Sequence, residues 1–202
     1  MIKTILFDFG DVFINLDKEG TNRKLKEMNI EDLPESILAK NRDYEQGFVT
    51  SDEISEHYST HFPNLGKEDF LDSWNSMILE FPEYRFRFIQ KLAREKDYQL
   101  ILLSNTNENH ISYIENNVPF FEEFKECFEA FYLSHEMGLR KPHPEIFEYI
   151  LKQHNLKAEN CLFIDDTLEN TEAAKKLGFH VWNIEPTRED VIDLFTTKKE
   201  LF

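Results

Sequence analysis

Five short apolar runs constrain the fold of this chain more than any other feature of its sequence. They are "TILFDF", "YQLILLS", "AFYLS", "NCLFIDD" and "HVWNI", and most of them are continuous rather than alternating. Continuous apolar runs of this length are typical of strands buried on both faces, as in a parallel sheet covered by helices.

Helical segments lie between these runs. "PEYRFRFIQKLAREK" begins at Pro82, "PEIFEYILKQHN" begins at Pro144, and "TLENTEAAKKLG" ends at Gly178. Proline is favoured at the start of a helix and glycine just after its end. The alternation of strands and helices predicts an α/β fold with a doubly wound, Rossmann-like parallel sheet.

One connection is too long for this architecture. About 95 residues separate Asp8 from Ser104, whereas a βαβ unit needs roughly 30. The surplus is rich in amphipathic helical segments, the third of which we expect to be capped by Ser51 and Asp52. We therefore predict a helical subdomain at residues 14–83, inserted into a core of residues 1–13 and 84–202.

The charge of the chain narrows its partners. The formal net charge is −16, which argues against nucleic acid and anionic membrane, because both need a basic surface. Cys127 and Cys161 form no paired motif, and no run of about 18 apolar residues occurs. We expect a cytoplasmic protein that acts on a small molecule; the sequence does not predict its oligomeric state.

Reactive side chains follow four of the five predicted strands. In chain order they are Asp8, then Ser104 with Asn105, then Lys141, then Asp165 with Asp166. The carboxyl ends of parallel strands meet at one edge of a sheet, where ligands of open α/β sheets bind. The pattern therefore predicts a single site at this edge.

Three carboxylates in one cleft repel one another, so we expect a cation between them. Oxygen ligands suit Mg²⁺, which takes one or two carboxylates and completes its shell with water and substrate phosphate. Lys141 and Ser104 would then supply a positive charge and a hydroxyl to the phosphate. Asp8 would attack phosphorus to form an aspartyl phosphate.

At this point the sequence resembles a known family. "FDFGDV", "LLSNT", "LRKP" and "FIDDTLEN" are similar, in order, to the four motifs of the haloacid dehalogenase (HAD) superfamily of hydrolases. The helical insert resembles a C1-type cap of that superfamily. The chain is most similar to small members related to glucose-1-phosphatases and to the phosphatase half of epoxide hydrolases.

The resemblance implies a role for each motif residue. Asp8 would be the nucleophile, Gly10 a Mg²⁺ ligand through its carbonyl, Ser104 and the Asn105 backbone N–H phosphate ligands, Lys141 a bridge between nucleophile and phosphate, Asp166 the direct metal ligand, and Asp165 and Asn170 its supports. The family's first motif usually carries a second aspartate as general acid and base, and here Gly10 holds that place. Asp11 follows one residue later and would substitute only in an unusual turn.

Four residues of the insert are candidates for the wall that faces the substrate: Tyr44, Glu45, Trp74 and Asn75. Core packing is an equal alternative for Trp74, and we expect Arg140 to be exposed.

The leading hypothesis is a Mg²⁺-dependent phosphatase of a small phosphorylated metabolite, such as a sugar phosphate. A 2-haloacid dehalogenase is an alternative, because it also uses an aspartate nucleophile, but it needs no metal and leaves the Asp165–Asp166 pair unexplained. A phosphoacceptor receiver domain is a third, although its acidic pair follows the first strand. The last is a non-catalytic protein that binds metal or phosphate.

Overall fold

A computed structural model describes residues 1–202 of the chain and contains the predicted sheet. Its strands are β1 (Thr4–Phe7), β2 (Gln99–Ser104), β3 (Ala130–Leu133), β4 (Cys161–Asp165) and β5 (His180–Asn183). All four neighbouring pairs are parallel, in the order β3-β2-β1-β4-β5. The predicted doubly wound parallel sheet is confirmed, and β1 lies at its centre.

Helices fill the connections between the strands. They are α1 (Gly20–Glu27), α2 (Glu35–Glu45), α3 (Ser51–His61), α4 (Lys67–Asn75), α5 (Glu83–Glu95), α6 (Glu108–Asn117), α7 (Phe121–Lys125), α8 (Ser134–Met137), α9 (Pro144–Gln153), α10 (Leu168–Lys176) and α11 (Leu194–Thr197). Short 3₁₀ turns occur at Ala158–Asn160, Val191–Asp193 and Lys199–Leu201. No helix is long and apolar enough to cross a bilayer.

Successive residues of the central strand pack on opposite faces of the sheet. Ile5 and Phe7 belong to one apolar core, together with side chains of α5, α6 and α7. Leu6 belongs to a second core, which includes Phe147 of α9 and Ala174 of α10. Side chains of a strand alternate between faces, so a strand covered on both sides must be apolar at every position. This explains the continuous apolar runs.

Helices α1 to α4 form a unit with an apolar core of its own, which includes Leu25, Ile37 and Phe70. Two chain segments join this helical unit to the sheet, and Leu16 and Ile78 form an antiparallel bridge between them. Ile14 and Phe81, which the predicted boundaries assign to the insert, pack in the core of the sheet. The helical unit proper therefore spans α1 to α4, within the predicted 14–83.

One local prediction differs from the structure. The cap of α3 is Thr50, whose hydroxyl accepts from Glu53 N at 3.2 Å while the Glu53 carboxylate accepts from Thr50 N at 2.8 Å. This reciprocal capping box satisfies two backbone donors, and it places Ser51 in the first turn. Helices α6 and α7, between β2 and β3, and the one-turn α8, directly after β3, are not among the predicted helical segments.

Buried hydrogen bonds fasten the helical unit to the core. Trp74 Nε1 donates to Asn107 Oδ1 at 3.2 Å, and His110 Nε2 donates to the Trp74 carbonyl at 3.1 Å. Asn107 Nδ2 in turn donates to His110 Nδ1 at 3.1 Å, which fixes the neutral tautomer of the ring. Burial lowers the pKa of His110 to about 4, so the ring is neutral in the folded protein.

We expect His110 to make stability depend on pH. Its folded pKa lies below the unfolded value of about 6.5, so its contribution is complete above that pH and declines as the pH falls toward about 4. Between about pH 7 and about pH 5 the loss is about 2 kcal/mol in the free energy of unfolding. Urea denaturation of wild type and His110→Gln at both pH values gives the difference between their free energies of unfolding, and this difference should change by that amount between the two pH values. The exposed His180→Gln is the matched control, and an equal pH dependence in His110→Gln would contradict the assignment.

Candidate active site

A polar cavity of about 260 Å³ opens at the carboxyl edge of the sheet. Its wall consists of Asp8, Gly10, Leu16, Lys18, Asn105, Arg140, Lys141, Pro142, Asp166, Thr167, Glu169 and Asn170. The predicted convergence of the strand ends therefore occurs, since residues that follow β1, β2, β3 and β4 all reach this cavity.

The ammonium group of Lys141 lies at the centre of the site and is completely buried. Its Nζ contacts Asp8 Oδ1 at 2.8 Å, Asp165 Oδ2 at 2.7 Å and the carbonyl of Leu103 at 2.8 Å. Burial opposes the charged form, but the two carboxylates outweigh it and raise the pKa of Lys141. All three of its donors are used, so the ammonium is held charged in one place.

Asp165 is a support rather than an open ligand. Its oxygens accept from Lys141 Nζ, from Asn170 Nδ2 at 3.0 and 3.1 Å, and from Thr167 N at 2.8 Å. The side chain is fully buried and does not line the cavity. This geometry fits the supporting role expected of Asp165 and Asn170 better than direct coordination by Asp165.

Asn105 fixes the backbone of the lysine. Its Nδ2 donates to the Lys141 carbonyl at 2.8 Å, and Lys141 N donates to Asn105 Oδ1 at 2.9 Å. The sequence suggested only a backbone role for Asn105, so this clamp is a function that the motif did not reveal. Ser104, buried at the end of β2 opposite Leu133, lies beside the cavity wall but is not part of it.

Asp8 lies at the end of β1, where its carboxylate is mostly buried. Burial raises the pKa of Asp8, Lys141 lowers it, and Asp165 and Asp166 raise it, so that the net pKa is about 7. One ligand oxygen from each of these three aspartates lies within 4.8 Å of the others. Asp8 and Asp165 share one buried ammonium, and Asp166 contacts only the largely exposed ammonium of Lys18, so the donor set fits an additional hard cation, which would stabilise the ionised form of Asp8.

Lys18 is a site residue that the sequence did not indicate. Its ammonium contacts the carboxylate of Asp166 and lies 3.2 Å from Asp11 Oδ2. Lys18 lies six residues after the first motif, in the segment that leads into the helical unit, and its partner Asp166 is 148 residues away, so the local pattern did not identify it.

The turn after Asp8 has an unusual backbone conformation at Asp11, the residue that follows Gly10. Asp11 has a φ of 55°, in the left-handed region, and its Oδ1 accepts from Leu16 N at 2.9 Å. A Cβ added to Gly10 would lie 2.6 Å from Leu16 Cδ1. A side chain at position 10 would therefore displace the end of the Leu16 side chain, and Asp11 is directed to Leu16 and Lys18.

The four residues of the helical unit that were expected to face the substrate do not line the cavity. Tyr44 and Trp74 are buried in the unit's core, and Tyr44 Oη accepts from Asn109 N at 3.1 Å. Asn75, at the end of α4, is also outside the wall. Glu45 lies behind the wall and pairs with Arg140 at 2.8 Å. The expectation that Arg140 is exposed is wrong, because this ion pair holds its guanidinium at the cavity, mostly buried.

The fold and the site define a class of protein. The haloacid dehalogenase-like hydrolase family matches residues 2–178 of the chain. The chain belongs to this family.

Similar proteins come from several organisms. The chain is 28% identical over 194 residues to a D-ribitol-5-phosphate phosphatase of Bacteroides thetaiotaomicron, covering 92% of this chain and 93% of that protein. It is 26% identical over 203 residues to a glyceraldehyde 3-phosphate phosphatase of Pyrococcus abyssi, covering 90% and 81%. A crystal structure of a HAD family enzyme from B. thetaiotaomicron, in complex with magnesium and inorganic phosphate, superposes with a TM-score of 0.84 at 30% identity and covers 96% of this chain and 100% of that one.

Removal of the buried ammonium should destabilise the fold. We expect Lys141→Met, measured in chelator, to lower the free energy of unfolding by about 3–5 kcal/mol, because Asp8 and Asp165 are left buried without their cation. Urea denaturation measures the change, with the exposed Lys176→Met as the matched control. A loss below about 1 kcal/mol would show that the ion pairs are not as tightly buried as described.

Proposed function

We propose that the protein is a Mg²⁺-dependent phosphatase of a small phosphorylated metabolite, in the class of sugar and alditol phosphates. The observation that carries the proposal is the carboxylate of Asp8. Lys141 holds its Oδ1 at 2.8 Å, and Oδ2 has no hydrogen-bond partner within the protein at the edge of a polar cavity. One oxygen is fixed and the other is available to attack.

The reaction has two displacement steps at phosphorus. In the first, Asp8 Oδ2 forms a bond to phosphorus while the ester P–O bond breaks, and the leaving alkoxide takes a proton from solvent or a nearby group. In the second, a water oxygen attacks phosphorus, the bond to Asp8 breaks, and inorganic phosphate leaves. Lys141 stays charged throughout and offsets charge on Asp8 and the phosphoryl oxygens.

The metal would be held by Asp8, Asp166 and the carbonyl of Gly10, all of which line the cavity. When bound, Mg²⁺ supplies the positive charge that three aspartates and a phosphate dianion require. Asp165 and Asn170 keep Lys141 and the loop after β4 in place. Ser104 and the backbone N–H of Asn105 remain our candidates for phosphate ligands, and Lys141 serves both phosphate and nucleophile.

The relatives support the same chemistry, since two of them are named for phosphorylated polyol and triose substrates and the third holds magnesium and phosphate. We propose that the helical unit is the cap predicted for residues 14–83. The free state of Cys127 and Cys161 supports our proposal of a cytoplasmic location.

The alternatives have less support. A dehalogenase displaces halide without a metal, and the Asp166 carboxylate beside Asp8 would then only oppose the charge of the nucleophile. The phosphatases among the relatives favour catalysis over a non-catalytic binding protein.

Metal removal tests the cofactor. We expect phosphate release from p-nitrophenyl phosphate to stop after exhaustive chelation and to return with Mg²⁺, because Lys141 and the exposed Lys18 do not offset three converging aspartates and a phosphate dianion. Asp166→Ala should weaken Mg²⁺ binding in titration calorimetry by at least about tenfold. Full activity in chelator would instead favour the dehalogenase hypothesis, and unchanged affinity in Asp166→Ala would remove that residue from the ligand set.

Asp8→Asn tests the nucleophile. An amide oxygen attacks phosphorus poorly, so turnover should fall by more than about 10³-fold while circular dichroism and the unfolding midpoint are retained. Asp193→Asn, in the 3₁₀ turn near the C-terminus, makes the same chemical change away from the site. Turnover close to wild type in Asp8→Asn would place the nucleophile elsewhere.

A further inference from the structure

Arg140 is a cation of the cavity wall that the mechanism above does not use. It precedes Lys141 in the loop after β3, and its Nη2 lies 2.8 Å from Glu45 Oε2, at the end of α2. Its Nε is buried without a hydrogen-bond partner. The guanidinium therefore lies between the phosphate end of the cavity and the helical unit, where the alcohol portion of a substrate would extend.

Glu45 is fixed in this position by the backbone on either side of it. Its carbonyl accepts from Ser134 Oγ at 2.5 Å, and Gln46 Nε2 donates to the Gly138 carbonyl at 3.5 Å. Gly47 packs so closely on His135 that an added Cβ would lie 1.9 Å from its carbonyl oxygen. The end of α2 is thus locked onto α8, and one carboxylate oxygen of the partly exposed Glu45 is presented to Arg140.

Every cation of the cavity wall has a carboxylate within 3.2 Å. The pairs are Lys141 with Asp8 and Asp165, Lys18 with Asp11 and Asp166, and Arg140 with Glu45. Glu169 adds a further acidic group to the wall. A metal ion and Lys141 are committed to the phosphate, so no uncompensated positive charge is left for a second anionic group.

On the basis of the proposed function, we propose that the site selects phosphomonoesters whose alcohol portion is uncharged, and that Glu45 is the positioning residue for this selectivity. Glu45 neutralises Arg140 and holds it as a donor for hydroxyl groups. A substrate with a carboxylate or a second phosphate in place of a hydroxyl would face Arg140 already paired, in a chain with a net charge of −16.

A matched pair of esters tests this proposal, because sn-glycerol 3-phosphate and 3-phosphoglycerate differ in size only slightly and in one terminal group, a hydroxymethyl against a carboxylate. Each is measured as a competitor of p-nitrophenyl phosphate hydrolysis in Mg²⁺, which gives an inhibition constant whether or not the ester is itself cleaved. Wild type should bind sn-glycerol 3-phosphate more tightly. Glu45→Gln should tighten 3-phosphoglycerate by about tenfold or more, because a released guanidinium forms a charge-assisted pair with the carboxylate.

Three further variants make the result specific. The double variant Glu45→Gln/Arg140→Met should not bind 3-phosphoglycerate more tightly than wild type. Arg140→Met alone should also show no tighter binding of 3-phosphoglycerate. Glu35→Gln, at the exposed start of α2, makes the same charge change away from the cavity and should leave both constants as in wild type.

The outcomes separate the two proposals. If wild type hydrolyses p-nitrophenyl phosphate but Glu45→Gln keeps the wild-type preference for sn-glycerol 3-phosphate over 3-phosphoglycerate, the role of Glu45 is overturned. An equal gain in Glu35→Gln would also overturn it, because the effect would then come from overall charge. A gain in Glu45→Gln that survives Arg140→Met would exclude Arg140 as its cause. No hydrolysis by wild type in Mg²⁺ would instead overturn the proposed function.

Discussion

The burial of one ammonium group, that of Lys141, organises the active edge of this protein. A charged group without solvent must be paired and hydrogen-bonded, and Lys141 meets this condition with Asp8, Asp165 and the carbonyl of Leu103. These partners come from the ends of three different strands. The ion cluster can therefore form only when β1, β2 and β4 are in register, so the geometry of the nucleophile and the order of the sheet depend on each other.

The helical unit contributes to the same edge without placing many side chains in it. Its contacts with the core are polar and specific, such as Trp74 with Asn107 and His110, whereas its apolar side chains pack among themselves. Polar contacts fix orientation because each requires a partner at one distance and angle. The result is that α2 ends at a defined position beside the cavity, and a single carboxylate there offsets the charge of Arg140.

The sequence predicts the sheet, its faces and most of the strand-end residues, because these depend on short-range patterns. Apolar runs identify the strands, and parallel topology brings Asp8, Lys141 and Asp166 together without further information. Contacts between distant segments are not encoded in such patterns. Lys18 reaches Asp166 from the start of the helical unit, and Tyr44 and Trp74 have side chains equally suited to a pocket wall and to a core. Arg140 was expected at the surface because its partner, Glu45, is 95 residues away in sequence.

The turn after Asp8 shows how one packing contact changes the chemistry available to the site. The end of the Leu16 side chain lies where a side chain at position 10 would start, and Asp11 has a left-handed backbone. The carboxylate of Asp11 accepts a backbone N–H and pairs with Lys18, so it stabilises the turn. General acid–base catalysis contributes about 10²–10⁴-fold where a side chain is placed for it. Since neither residue 10 nor residue 11 is so placed, the proposed mechanism relies on charge stabilisation by a bound metal and Lys141 and on the fixed orientation of Asp8.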